Sequence, residues 1–252
     1  MRLIVDNLSV SIGNKKPIDN ISFDVDTNEV LSIIGQSGSG KSLTALSIMG
    51  LLDPAVFNIN GKIVFDGVDI LKLPEKKRKS LCLDNIAMIY QNPFNSLMPV
   101  ERIKKQIIRM YGIKKLKPDF DKICELLEYT GLNPEIIINK YPHELSGGEL
   151  QRVIIAMSMA LDPSVLICDE PTTALDQKTG KQIISLLKKI KEEQGLSVLF
   201  ISHDLSVVEE IADRIAIMKS GKIVEIGDSE EIFNNPKHDY VKELLEVARL
   251  ER

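Results

Sequence analysis

Two hydrophobic patterns alternate along the chain and predict an α/β fold. Residues 3–10 and 20–25 alternate apolar and polar side chains, which is typical of half-buried strands, and residues 14–17 are the predicted turn between them. Short continuous apolar runs occur later, at residues 165–168, 197–201 and 214–218. Because such runs alternate with helical segments, they predict a mostly parallel sheet that is covered on both faces.

The helical repeat dominates a central segment, where lysines and isoleucines recur three and four positions apart. Its apolar positions are Ile103, Ile107, Ile108, Ile123, Leu126 and Leu127. We therefore predict one domain over residues 1–252, in which residues 1–93 and 145–230 form the core, residues 94–144 an inserted α-helical lobe and residues 231–252 an amphipathic helical tail.

Composition narrows the class of protein. The chain has 252 residues, a net charge of −4 and three widely spaced cysteines. The negative charge argues against nucleic acid as a partner, and the basic cluster at residues 76–79 is interpreted as a solvated face or turn. The cysteines predict neither a disulfide framework nor a metal cluster, and they fit a reducing cytosol. No apolar run approaches the ~20 residues of a membrane span, and residues 1–6 alternate like a strand rather than a secretion signal.

The sequence GQSGSGKS at residues 35–42, here called the phosphate loop, lies between an apolar run at residues 29–34 and a helical pattern at residues 43–49. Strand, glycine-rich turn and helix in this order predict a nucleotide site, because turned-in N–H groups and the helix start attract an anion. Lys41 is predicted to reach the β- and γ-phosphates, and the Ser42 hydroxyl to bind Mg²⁺. The predicted nucleotide-binding residues are Gly35, Gln36, Ser37, Gly38, Ser39, Gly40, Lys41, Ser42 and Leu43.

A second anion-seeking helix start is predicted at residues 145–149, here called the signature turn. Ser146 and Glu149 have the spacing of a capping box, and Gly147 and Gly148 between them allow a ligand to approach the backbone closely. A chain with a single phosphate site would not need this second turn, whereas a nucleotide held between two chains would need it.

Two adjacent carboxylates follow the apolar run at residues 165–168. Neighbouring residues of a strand point to opposite faces, so Asp169 and Glu170 are predicted to have different tasks. Asp169 is predicted to hold Mg²⁺ and Glu170 to orient and deprotonate the attacking water. Cys168 is interpreted as core packing.

Two further polar residues follow apolar strands, where parallel sheets collect their ligand groups. His203 comes after residues 197–201 and is predicted to contact the γ-phosphate. Gln91 comes after residues 86–90, and its amide is predicted to contact both the metal and the water. His143 and His238 lack metal-ligand spacing and are interpreted as surface or packing residues.

These motifs together resemble those of the ATP-binding-cassette (ABC) ATPase family, and the resemblance covers essentially the whole chain. The phosphate loop, Gln91, the signature turn, the strand before Glu170, and His203 stand in the family's order. The resemblance implies a phosphate-loop NTPase core with an N-terminal antiparallel β part, ATP and Mg²⁺ as cofactors, and a nucleotide contact at Asp176. It also implies that two cassettes close head to tail, each signature turn capping the ATP held by the other chain.

Two further stretches, residues 90–99 and 235–240, resemble the oligopeptide, dipeptide and nickel importer branch. Within this branch, the nickel import subunit is favoured by three features. These are residues 91–93, residues 38–44 and the end of the sequence soon after Tyr240. Family members often stack adenine on an aromatic residue near the end of the first strand, where this chain has Ile12. An isoleucine offers no π-face, so the sequence predicts tolerance of nucleotides other than ATP.

The resulting expectation is an ATPase at the cytoplasmic side of the cell membrane that powers uptake of nickel or a metal chelate, with peptides as the alternative. Its expected partners are transmembrane permease subunits, a second ABC ATPase that is identical or paralogous, and, indirectly, an extracellular solute-binding protein. Two other classes compete with this expectation. One is a soluble ABC ATPase that acts on ribosomes or nucleic acid, and the other is a plain phosphate-loop kinase or GTPase.

Overall fold

The computed structural model describes residues 3–250, with side chains through residue 247. Residues 1, 2, 251 and 252, which the predicted domain bounds include, lie outside the described residues. The strands are β1 (Leu3–Ile12), β2 (Lys15–Val25), β3 (Val30–Ile34), β4 (Asn58–Phe65), β5 (Val68–Asp69), β6 (Ile86–Ile89), β7 (Val165–Asp169), β8 (Ser197–Ser202), β9 (Arg214–Lys219) and β10 (Lys222–Asp228). The helices are α1 (Lys41–Ile48), α2 (Glu75–Asn85), α3 (Ile103–Ile113), α4 (Phe120–Tyr129), α5 (Pro134–Ile137), α6 (Gly147–Met159), α7 (Gln177–Gln194), α8 (Leu205–Ile211), α9 (Ser229–Asn234) and α10 (Asp239–Leu250).

The N-terminal part forms a four-stranded sheet in the order β2-β1-β4-β5, and all its neighbouring strands are antiparallel. This confirms the predicted antiparallel part. The turn between β1 and β2 is shorter than predicted, because Ile12 already pairs with Lys15 across the ladder. Gly13 takes a left-handed φ of 53°, which lets two residues close the turn in place of four.

The second sheet has six strands in the order β10-β9-β3-β8-β7-β6. Five neighbouring strands, β9, β3, β8, β7 and β6, run parallel to one another, and β10 is antiparallel to β9. This confirms the mostly parallel sheet. All residues of β3, β7 and β8 are buried, as their continuous apolar runs predicted. The carboxyl ends of β3, β8, β7 and β6 meet at one edge, so the segments that follow these strands are brought together.

Alternate residues of the parallel strands contribute to two cores. Ile167 belongs to the core that joins this sheet to α1 and the antiparallel sheet. Cys168 is fully buried and belongs to the core that this sheet forms with helices α3 to α8. Burial raises the pKa of the Cys168 thiol, which fits its interpretation as a packing residue.

The segment over residues 94–144 is helical, as its apolar repeat predicted. Ile103, Ile107, Ile123 and Leu127 are buried and pack in the same core as α6. Ile108 is 44% exposed and does not belong to the packed face, because that face of α3 is narrower than the sequence repeat indicated. The division of the chain into core, lobe and tail stays a prediction.

Helix α2 contains the basic cluster at residues 76–79, for which the sequence predicted only a solvated face or turn. Cys82 is the one residue of α2 that is buried, so the helix has almost no apolar stripe from which it could have been recognised. Lys79 pairs with Glu75 one turn earlier on the exposed surface. Among the described residues, no helix combines the length and the apolar character needed to cross a membrane.

Candidate active site

The phosphate loop connects β3 to α1 and requires glycine at both of its ends. A Cβ atom on Gly35 would lie 2.2 Å from the carbonyl oxygen of Met218 in β9, so no larger residue fits against that strand. Gly40 precedes α1 with a φ of 109°, a left-handed conformation that favours glycine. The first hydrogen bond of α1 runs from the Thr44 N–H to the Gly40 oxygen, which leaves the preceding N–H groups directed at the loop.

Lys41 folds back over the loop, where its ammonium group donates to the carbonyl oxygens of Gly35 (2.7 Å) and Gln36 (3.2 Å). The residue is 5% exposed, and burial lowers the pKa of Lys41 against the opposing effect of Glu170 and Asp169. Such a cation is poised to exchange carbonyl acceptors for phosphate oxygens. Ser39 also fits a phosphate, because its hydroxyl is buried and has no hydrogen-bond partner among the described residues.

Asp169 ends β7 directly beside the start of α1. The Ser42 hydroxyl donates to Asp169 Oδ1 over 3.0 Å, and Asp169 is 6% exposed. Burial raises the pKa of Asp169, and the hydrogen bond from Ser42 opposes that effect. A hydroxyl and a carboxylate at this distance form the hard oxygen donor set that Mg²⁺ prefers, so the residues fit the predicted ion.

Glu170 lies beyond the end of β7 and has a left-handed φ of 50°. The direction of its side chain is therefore set by this turn, whereas the sequence predicted that strand alternation would set it. Its Oε2 atom accepts hydrogen bonds from Gln91 Nε2 (2.9 Å) and Thr173 Oγ1 (3.0 Å). His203 Nδ1 is 3.1 Å from the same oxygen. The structure therefore brings together the three predicted catalytic residues, and it adds Thr173, which the sequence interpretation missed.

His203 faces Glu170 through Nδ1, and the other ring nitrogen, Nε2, takes no part in this contact. Because the two ring nitrogens are distinct, Nε2 can contact a ligand while Nδ1 lies against the carboxylate. The His203 side chain is 55% exposed, which leaves Nε2 accessible from solvent. His143 stacks on Tyr141 with ring centroids 5.5 Å apart, which fits its interpretation as a surface or packing residue.

The signature turn begins α6 with the predicted capping box. The Ser146 hydroxyl accepts from the Glu149 N–H (3.3 Å), and the Glu149 carboxylate accepts from the Ser146 N–H (2.8 Å). The Ser146 N–H and the Ser146 hydroxyl both donate to the Glu149 carboxylate, which lowers the pKa of Glu149 and engages its carboxylate within the turn. A Cβ on Gly148 would lie 2.5 Å from Thr179 Cγ2, so this glycine is also required by packing inside the chain.

Asp176 and Ile12 lie outside the hydrogen-bonded cluster around Glu170. Asp176 caps α7, where its carboxylate accepts from the Thr179 N–H (3.0 Å) and the Thr179 hydroxyl (2.6 Å), and these bonds lower its pKa. Ile12 is the last residue of β1 and is 38% exposed. Across residues 3–250, no hydrogen bond or ion pair joins the signature turn to the phosphate loop.

The fold and the phosphate loop define an ATPase of the phosphate-loop class, and comparison with known proteins identifies its family. The family model described as "ABC transporter" matches residues 18–173. The chain is 46% identical to the peptidoglycan transport ATP-binding protein of Agrobacterium fabrum, 43% to a dipeptide transport ATP-binding protein of Haemophilus influenzae and 42% to an oligopeptide transport ATP-binding protein of Bacillus subtilis. The chain therefore belongs to the ABC transporter family, and it is an ABC ATPase.

Coverage differs between these relatives. Each alignment includes 96% of this chain, but it spans 46% of the Agrobacterium protein, 76% of the Haemophilus protein and 70% of the Bacillus protein.

Solved structures show the same fold. A dimeric ATP-binding cassette in a post-hydrolysis state with ADP and phosphate aligns with a TM-score of 0.77 and 29% identity, over 90% of this chain and 98% of that chain. A cassette from Clostridium perfringens aligns with a TM-score of 0.79 and 27% identity, over 99% and 98% of the two chains.

Proposed function

We propose that this chain hydrolyses ATP to power an ABC importer of peptides. The observation that carries the ATPase step is the convergence of Gln91, Thr173 and His203 on one oxygen of Glu170, beside the pair formed by Ser42 and Asp169. The solute class is inferred from the relatives, whose names refer to dipeptide, oligopeptide or peptidoglycan transport. None of these three names refers to nickel, so the predicted preference for nickel is not supported and the alternative replaces it.

Each residue of the site has a task in the proposed reaction. ATP phosphates would lie against the N–H groups of the phosphate loop and Lys41, and Mg²⁺ held by Ser42 and Asp169 would neutralise charge on the β- and γ-oxygens. Glu170 would accept the proton of the attacking water. Nε2 of His203 would contact the γ-phosphate, while Gln91 links Glu170 to the segment that follows β6.

We propose that the catalytic unit is a pair of cassettes. The signature turn is a helix start with free donors, and it has no hydrogen bond to the phosphate loop of its own chain within the described residues. A second cassette, identical or paralogous, can supply that turn across an interface. The similar cassette that was solved with ADP and phosphate is itself dimeric.

The proposed permease contact is an apolar cleft of about 260 Å³ beside Gln91, between the parallel sheet and the helical segment. Its lining includes Met49, Leu83, Met88, Met110 and Met157. Leu83 is 49% exposed, and unbranched methionines adapt to a helix inserted between them. Docking there would hold the ATPase at the cytoplasmic side of the membrane and connect it, through the permease, to a solute-binding protein outside.

Reconstitution tests the proposed function. The chain would be assembled with a peptide permease and its binding protein in vesicles, and ATP turnover measured with dipeptide, oligopeptide or Ni²⁺ as solute. We expect peptide to stimulate turnover and Ni²⁺ not to. Stimulation by Ni²⁺ alone would contradict the proposed solute, and co-purification with ribosomes or DNA in place of permease would contradict transport.

Gly147→Leu tests the paired site. A Cβ at this position would meet the flexible end of Leu175 at 3.3 Å and the Ala174 carbonyl oxygen at an ordinary contact distance of 4.0 Å, so the chain is expected to fold. The added side chain covers donors at the start of α6, and we expect ATP turnover to fall by roughly 10²-fold with unchanged ATP affinity. The control is Gly112→Leu, because a Cβ on Gly112 meets nothing within 4 Å. Unchanged turnover in Gly147→Leu would contradict the proposed paired site.

Ile12 leads us to propose a weak preference between nucleotide bases. We expect ATP and GTP to bind with affinities within about tenfold of each other, and Ile12→Tyr to tighten ATP binding by roughly 2- to 10-fold through stacking. Ile226→Tyr is the matched control, because Ile226 has the same exposure of 38%. Titration calorimetry with both nucleotides measures the effect. A strict preference of the native chain for ATP would contradict this proposal.

A further inference from the structure

Thr173 makes two hydrogen bonds to Glu170. Its hydroxyl donates to Glu170 Oε2 over 3.0 Å, and its backbone N–H donates to the Glu170 carbonyl oxygen over 3.3 Å. The second bond closes a short turn directly after β7 and holds the hydroxyl beneath the carboxylate. Glu170 itself is anchored by its own N–H, which donates to the Ile201 oxygen in β8 over 2.9 Å.

The three side chains that contact Glu170 Oε2 differ in how they are connected to it. Gln91 follows β6 and His203 follows β8, so each belongs to a separate segment of the chain. Thr173 belongs to the same turn as Glu170, so its hydrogen bond does not depend on the position of those two segments. Both hydrogen bonds and the His203 contact fall on Oε2, which leaves Oε1 as the oxygen with no hydrogen-bond donor among the described residues.

We propose that Thr173 is a positioning residue that fixes the rotation of the Glu170 carboxylate and so reserves Oε1 for the proton of the attacking water. This inference rests on the proposed role of Glu170 as general base. The proton passes from water to Oε1 as the water oxygen bonds to the γ-phosphorus and the bond to ADP breaks. Thr173 does not touch the reacting atoms, so its effect must pass through Glu170.

Thr173→Val tests the proposal, because valine keeps the shape and the backbone bond but removes the hydroxyl. We expect kcat for ATP hydrolysis to fall roughly tenfold while KM stays unchanged, since a hydrogen bond to a charged group is lost and nucleotide contacts are not. Thr173→Ser is expected to restore the rate. The control is Thr172→Val, which alters the adjacent threonine in the same turn. A kcat at the native level in Thr173→Val would overturn the proposal.

A double-mutant cycle separates positioning from a structural effect. In single-turnover measurements, adding Thr173→Val to Glu170→Gln is expected to cause no further loss, because the residue through which Thr173 acts is already disabled. A further tenfold loss in the double variant would overturn the proposal. Native turnover in Glu170→Gln alone would instead reject the proposed general base, so the two failures are distinguishable.

Discussion

Glu170→Gln is expected to slow ATP hydrolysis by roughly 10²–10⁴-fold and to leave ATP binding intact. Glutamine has nearly the same shape and retains an oxygen that can accept from Gln91 and Thr173, so the cluster is expected to persist. It cannot take a proton from water at neutral pH. ATP then remains uncleaved, and the closed pair of cassettes accumulates.

Single-turnover kinetics measure the expected loss of hydrolysis, and equilibrium titration measures whether ATP binding is retained. The matched control is Glu230→Gln at the exposed start of α9, which removes the same charge away from the site. Hydrolysis by Glu170→Gln at the native rate would remove Glu170 from the role of general base.

Lys41→Ala is expected to weaken ATP binding itself by roughly 10- to 100-fold, because charge-assisted hydrogen bonds to phosphate oxygens are lost. Among the described residues, the acceptors of the Lys41 ammonium group are the carbonyl oxygens of Gly35 and Gln36, and burial lowers the pKa of Lys41. Phosphate oxygens would stabilise the charged form better than these carbonyls do. Removal of Lys41 should therefore destabilise the complex with ATP far more than it destabilises the free chain.

The measurement is ATP affinity by calorimetry, supported by the rise in thermal midpoint on adding Mg-ATP. Lys122→Ala is the control, because Lys122 pairs with Asp162 in a region far along the chain from the phosphate loop. An ATP affinity equal to that of the native chain would contradict the assigned role of Lys41.

The sequence predicted the elements and residues whose chemistry depends on local spacing. The continuous apolar runs predicted buried parallel strands, and the carboxyl ends of these strands carry Gln91, Glu170 and His203 in the structure. The spacing of Ser146 and Glu149 predicted a capping box that the structure confirms. In each case a local pattern is sufficient, because a strand end or a helix cap is determined by neighbouring residues.

Features that depend on tertiary contact could not be predicted in this way. The left-handed conformation of Glu170 occurs together with a backbone bond to Ile201 on the neighbouring strand β8, a tertiary contact that has no signal in the local sequence. Gly148 is required by Thr179, which lies 31 positions further on. Helix α2 was missed because its contacts involve little apolar surface. Thr173 had a signal, since a threonine three residues after a carboxylate can return its hydroxyl to that carboxylate within a short turn.

The dependence of ATP turnover on pairing tests the central claim most directly. Light scattering would give the mass of the native chain over a range of concentrations, alone and with a candidate second cassette, while turnover is recorded in the same samples. We predict that turnover rises only as the mass doubles, and that Glu170→Gln with Mg-ATP holds the pair together with two bound nucleotides. A single subunit that hydrolyses ATP at the full rate without pairing would contradict the account.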